Sequence, residues 1–381
     1  MVGQKKHPSQ FKVLSDGEVW QIYSSALELL GKVGIRFQHE EARHTLQEAG
    51  AHLAPDGITF RIPPRLVEQS LAQAPKQVFL AGRIPKNDML LEAGGEAFLE
   101  ASGTAEYILD LETGERRPGK REDTINCMRL INALSNVNIG AGCVVPSEIP
   151  VTFIDLHMFE LALENTEKHI AYGGQNLEPN NELAFRLASL VVGGRKELEK
   201  RPLLHMRLSP VSPLAYGRDA VDKLLLATRW KVPVQVGSLP IAGGTSPVTL
   251  AGSLVVATAE TMAGVVLAQS SAPGTPVILA GKIATLDLVS GDERDTLEHV
   301  TASIAFVQVK KDCFQLPTYV NLMTSESQRP DGQTALKHGI GSLMAALAGA
   351  NIVRGGGKLA SSTFSLEQLV TMRSSGLPSG Y

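Results

Sequence analysis

The chain has 381 residues, 43% of them apolar and 20% charged, with a formal net charge of −3. That balance supports a packed core, which excludes disorder of the whole chain. It also excludes broad electrostatic binding to nucleic acid, which needs a strongly basic face. Three scattered cysteines, Cys127, Cys143 and Cys313, lack metal-ligand spacing and suit a reducing compartment, so a cytoplasmic location is expected. No apolar secretory region opens the chain. The most apolar stretch, 247–281, is interrupted by Glu260 and Gln269 and reads as a buried helix followed by a strand, not a membrane span.

In chain order, Ser15 and Glu18 form a capping box and Leu14 and Val19 a hydrophobic staple. Val19, Ile22, Tyr23, Ala26, Leu27, Leu30 and Val33 then recur at helical spacing, and Gly34 supplies a stop. Short helices at 40–49 and 63–74, with strand-like alternation at 58–62, make residues 1–96 a small α/β cap. A hairpin is predicted from 97–101 and 106–111, with a turn at 112–115. Beyond it, strand-like runs at 137–143, 169–173, 203–208, 232–237, 276–280, 318–322 and 351–354 alternate with helical stretches. The helices are predicted at 122–134, 153–165, 181–192, 218–230, 248–271, 293–310 and 333–348. Alternating units imply a parallel sheet with helices outside.

With 97–101 as the first strand the count is eight, which favours a closed (β/α)8 barrel over residues 97–381. The alternative, an open doubly wound sheet, calls for a Gly-rich phosphate loop after its first strand. Ser102, Gly103 and Thr104 stand there instead.

A barrel builds its active site from the loops after its strands. The predicted strand ends carry Gln175, Asn176, Arg207, Gln235, Lys282, Asn321 and Arg354, interspersed with glycines that include Gly237, Gly281 and Gly355. Such glycines either make short turns or let a large ligand or partner approach the backbone. Acids are scarce at these ends, and no pair suits glycoside hydrolysis. Lys282 reads either as a Schiff-base lysine of aldolase type or as a lysine paired at a strand end. The segment from Gly274 to Lys282 has six residues between its glycines where a P-loop has four, and it precedes a strand. Gly355, Gly356, Gly357 and Lys358 either cradle a phosphate or make a turn. The nine histidines show no zinc-ligand spacing. His338 lies one turn into the helix after the seventh strand, either at the mouth or on a helical face.

The runs at 29–36 (LLGKVGIR), 46–51 (LQEAGA), 62–67 (IPPRLV) with Ala74 and Pro75, 110–117 (DLETGERR) and 365–370 (SLEQLV) resemble the trimethylamine:corrinoid methyltransferase family. The loop at 324–333 and the stretch at 346–351 resemble it too, so the likeness runs over essentially the whole chain. The resemblance implies a (β/α)8 barrel that passes a methyl group from a methylated amine to the Co(I) of a separate corrinoid protein. It implies no tightly bound cofactor of the chain's own, and a homo-oligomer. Family members acting on trimethylamine carry pyrrolysine, which this sequence lacks. It therefore resembles the glycine betaine methyltransferase branch, whose quaternary ammonium substrates leave as neutral amines without activation.

Under that resemblance Gln175, Asn176 and His338 are the expected catalytic contacts. Tyr107, Tyr172, Tyr216 and Phe364 would face the cation, with Glu100 and Asp110 as acids. Arg207 or Arg354 would hold a substrate carboxylate. Gly237, Gly281, Asn321 and Gly355 would line the approach of the corrinoid. A barrel that only binds a small cationic metabolite is the competing reading. The family pattern continues beyond Val370, where this sequence leaves it, so a barrel shortened at its C-terminal end, with closure and full activity least assured there, is expected.

Overall fold

The structure, a computed structural model, describes residues 11–174, 178–291, 293–294, 296–360 and 362–372. Its centre is an eight-stranded parallel sheet. The strands are β1 (Phe98–Ala101), β2 (Ile139–Gly140), β3 (His169–Tyr172) and β4 (Leu204–Leu208), then β5 (Val234–Ser238), β6 (Val277–Gly281), β7 (Tyr319–Asn321) and β8 (Ile352–Gly356). Each pairs with its sequence neighbours, β8 pairs with β1, and a bridge from Leu279 to Thr318 joins β6 to the start of β7. The helices after each strand are α1 (Arg121–Ala133), α2 (Ile154–Asn165), α3 (Glu178–Val192), α4 (Arg218–Trp230), α5 (Leu250–Ser271), α6 (Leu297–Val309), α7 (Gly332–Ala348) and α8 (Leu366–Thr371). The (β/α)8 reading holds.

One prediction is corrected. Phe98–Ala101 is a barrel strand and no hairpin arm; the hairpin joins Tyr107–Leu109 to Arg116–Pro118 across the turn at 112–115. Thr363–Phe364 adds a parallel neighbour to Tyr107–Leu109.

The first helix, Asp16–Lys32, starts at the capping box: the Ser15 backbone N–H donates to Glu18 at 2.8 Å and Glu18 N–H to Ser15 Oγ at 3.3 Å. This helix and Pro64–Gln73 pack on α5, whose other side lies on the barrel. Apolar cover on both sides explains why α5 carries no polar stripe. It is long and apolar enough to cross a membrane, yet 78% of its most apolar window is buried inside the protein. A strand of the cap, Ile35–Phe37, pairs with Ala215–Tyr216 from the loop after β4. The hairpin of Gln77–Leu80 and Met89–Glu92 closes the opposite end of the barrel. Its Val78, Leu80, Met89 and Leu91 cluster with Phe98, Ile139, Ala171, Ile278, Tyr319 and Ile352.

The seam between β6 and β7 has the least strand pairing, and Lys310 fills the gap. It is fully buried and donates to the carbonyls of Leu279 at 3.2 Å and Tyr319 at 3.1 Å. A neutral amine has two N–H groups for those two carbonyls, and burial holds the Lys310 amine down to about 7. In the unfolded chain it titrates near 10.5. Between those values the unfolded state binds more protons, so this group's stability is fully present above the upper value and lost as pH falls toward the lower. In Lys310→Met that dependence should vanish. The expected result is a melting-temperature difference, wild type minus variant, that grows from pH 7 to pH 10; a constant difference would overturn it.

A second prediction concerns β8. The register shift between β8 and β1 falls at Gly355, whose φ is +135° and where a Cβ would lie 2.0 Å from the Met323 carbonyl oxygen. Gly355→Ala should cost about 2–4 kcal/mol, read from urea midpoints. A loss of only a few tenths would contradict this account.

Candidate active site

Inside the strand ends the barrel holds a charged trio. Glu100 on β1 is wholly buried and its Oε1 accepts from Arg207 Nη1 of β4 at 2.9 Å, while Arg354 Nε of β8 stands 3.3 Å from the same oxygen as an ion pair without a hydrogen bond. Arg354 reaches on to the Tyr319 hydroxyl at 3.3 Å. Glu100 Oε2 and Arg207 Nε have no protein partner. Burial pushes the Glu100 carboxyl up, against the pull of the two guanidiniums. Whichever state it adopts, one carboxyl cannot cancel two guanidiniums, and the trio keeps an excess of positive charge.

Arg207 and Arg354 line two connected spaces at the C-terminal end of the barrel. The larger, about 580 Å³, is walled by Gln235, Gly237, Gly281, Lys282, Tyr319 and Asn321. The smaller, about 220 Å³, is walled by Tyr172, Phe159, Met158, Asp155, Thr104 and Gly142. Tyr172 and Phe159 lie with ring centres 5.0 Å apart at 60°. Burial pushes the Tyr172 hydroxyl up, so it stays a neutral phenol. The smaller space thus offers aromatic and thioether surface with one acid at its edge, and the larger offers polar groups of both signs.

The placement of the expected residues is mixed. Arg207, Arg354, Tyr172, Gly237, Gly281 and Asn321 line these spaces, and Glu100 sits against the arginines. Gln175 and Asn176 lie outside the described residues. Several others are elsewhere. Tyr107 is on the outer hairpin with the Arg116 guanidinium 3.4 Å from its ring centre. Asp110 is tied to Arg117 at 2.8 Å in the same hairpin. Tyr216 is stacked on Phe37 of the cap at 5.1 Å, and its hydroxyl donates to the Glu260 carbonyl at 2.9 Å. Phe364 is fully buried and closes over Gly357. Gly355 abuts Met323 and lines neither space. His338 is buried beneath α8, with Nδ1 3.2 Å from Gln368 Nε2, and faces neither space. Lys282 lines the larger space in an ion pair with Glu293.

Asp155, Met158, Phe159, Asp219 and Lys223 were missed. They occupy the first two turns of α2 and α4, and helix N-termini in a barrel stand at the same end as the strand C-termini. That rule would have found them. Also missed was the use of Glu260, buried on α5. It accepts from Ser212 Oγ at 2.8 Å, Ser238 Oγ at 2.5 Å and Leu214 N–H at 2.8 Å, clamping the loop after β4 to the end of β5. Among the described residues no three His, Cys, Asp or Glu side chains gather as a metal site.

Comparison with known proteins agrees with this architecture. The family model described as trimethylamine methyltransferase (MTTB) matches residues 3–371. The trimethylamine methyltransferase MttB of Desulfitobacterium hafniense (strain DSM 10664 / DCB-2) is 30% identical over 354 residues, covering 91% of this chain and 69% of its own length. The glycine betaine methyltransferase of D. hafniense (strain Y51) is 29% identical over 283 residues, 74% of this chain, which spans 58% of that relative's length. Among solved structures, the monomethylamine methyltransferase MtmB of Methanosarcina barkeri matches with a TM-score of 0.59 at 11% identity, over 94% of this chain and 80% of its own. That match speaks for the fold. With the family model matching nearly its full length, the chain belongs to the trimethylamine methyltransferase (MTTB) family.

Proposed function

We propose that this methyltransferase takes a methyl group from a quaternary amine that also bears a carboxylate, a betaine, and passes it to the Co(I) of a corrinoid carried by a partner protein. The observation behind this reading is the excess positive charge of Arg207 and Arg354 over Glu100, set beside the aromatic wall of Tyr172 and Phe159. The guanidiniums suit a carboxylate. The ring faces, Met158 and the Asp155 carboxyl suit an N-methyl cation.

The corrinoid is the methyl acceptor, and its Co(I) supplies the nucleophile. Gly237 and Gly281 near the ends of β5 and β6 add no side chain of their own to the mouth, which fits the approach of a bulky acceptor. The chain's own task is then positional and electrostatic. The amine departs neutral, so no proton has to be delivered to it. Its nitrogen loses positive charge as the methyl leaves, and a pocket with surplus positive charge favours that loss over the charged ground state. A pair of close carboxylates would do the reverse, stabilising substrate more than transition state. An aromatic wall with a single acid at its edge holds the cation without over-stabilising it.

The test supplies free cob(I)alamin and follows methylcobalamin by its absorption. Glycine betaine or another carboxylate-bearing quaternary amine should be turned over, and tetramethylammonium far less efficiently. In Arg354→Met, KM for the betaine should rise roughly 30-fold, as expected for losing about 2 kcal/mol of charge-assisted hydrogen bonding. Tetramethylammonium should be little affected. Equal use of both amines by the wild type, or no methylcobalamin from any betaine, would overturn the proposal.

A further inference from the structure

One residue of the smaller space sits in a conformation that its own side chain opposes. Thr104, just past the end of β1, has a φ of +64°. Left-handed backbone is free for glycine and costly for a side chain branched at Cβ. Among the described residues Thr104 is the one non-glycine residue of positive φ that lines either space. The methyl-transfer scheme gives it no task.

Its neighbours hold it there. The Thr104 backbone N–H donates to the Gly142 carbonyl at 2.7 Å, which ties it to the segment after β2. Gly142 in turn gives way to Met158, whose terminal methyl lies where a Cβ on Gly142 would stand. Thr104, Gly142 and Met158 thus form one continuous stretch of the chamber wall. Thr104 Oγ1 donates to the Gly103 carbonyl at 2.6 Å, and the same carbonyl accepts from Arg354 Nη2 at 3.5 Å. The hydroxyl is therefore turned back on its own backbone, and the γ-methyl is what Thr104 has left to offer the space. One carbonyl group also fixes how far that methyl stands from the Arg354 guanidinium.

Strained residues persist where the surrounding structure over-determines them, and they cluster at functional sites. Glycine would accept this backbone without cost, so what threonine adds is its side chain. The hydroxyl reaches no further than the preceding carbonyl. Volume is what remains.

We propose that Thr104 is a specificity-determining residue whose γ-methyl limits the bulk of the ammonium head, admitting N-methyl groups and rejecting larger N-alkyl groups. With the carboxylate held on the arginines, and Thr104 at a set distance from Arg354, an added methylene cannot be absorbed by sliding the substrate along the chamber. One methylene too many in a fitted apolar pocket costs about 10- to 200-fold in selectivity. The inference rests on the betaine reading for the position of the cation.

The test measures binding by calorimetry, without corrinoid, using glycine betaine and its N,N,N-triethyl analogue as probes. Wild type should hold glycine betaine about 100-fold or more the tighter. Thr104→Gly removes the whole side chain and should cut that ratio to roughly 10-fold or less. Thr104→Val keeps the shape and loses only the hydroxyl, so its ratio should stay within about twofold of wild type. Thr104→Ser keeps the hydroxyl and loses the γ-methyl, and its ratio should fall between wild type and Thr104→Gly. Equal affinities in wild type, or a ratio that drops in Thr104→Val and not in Thr104→Ser, would overturn the size filter and leave the betaine reading standing. If glycine betaine does not bind the wild type, the betaine reading fails and the filter with it. Stability supplies a second check. The strain leaves with the side chain, so Thr104→Gly should melt about 1–2 °C above Thr104→Val. The reverse order would overturn the strain on which the inference is built.

Discussion

Two guanidiniums cannot be enclosed in a barrel without an anion, and the position of Glu100 follows from that. Desolvating an ion costs several kcal/mol unless partners replace the water. Here the neighbouring strands β1 and β8, and β4 from across the barrel, each contribute one charge. The trio can form only when the barrel is assembled, and it leaves one positive charge unanswered at the place where the two spaces join. The pocket's surplus of positive charge is therefore a property of the closed fold as much as of any side chain.

Polarity rises along the barrel axis. The far end is packed with Val78, Leu80, Met89, Leu91, Phe98 and Ile352, the middle carries His169, His205 and Gln235 in a satisfied line, and the near end carries the charges. Each polar level rests on a level that excludes water from below. The cap takes part indirectly: it covers α5, and Glu260 of that helix holds the loop after β4 and the end of β5. Distant packing thus reaches the mouth through one carboxyl group.

Much of this was legible in the sequence because period and punctuation are local. Eight apolar runs with seven helical patterns between them sufficed for the barrel, and Ser15 with Glu18 located the first helix. Arg207, Arg354 and Tyr172 were legible because a strand end in a barrel has only one place to be. What was not legible is which face of an element meets the mouth. Tyr107, Tyr216, Phe364 and His338 have suitable chemistry but turn into other packing, and Phe159 was hidden because a helix presents several faces. The contact between His169 and His205 depends on strand register, so no sequence spacing announces it.

The hairpin Gln77–Leu80 and Met89–Glu92 has a kinetic consequence. Because it stoppers the barrel's far end, the cavity formed by the described residues has its door at the C-terminal end. A partner protein that delivers its cofactor there covers that door. On the proposed transfer the amine would then enter first and the demethylated product leave last, a compulsory order in which excess partner traps whichever ligand is inside.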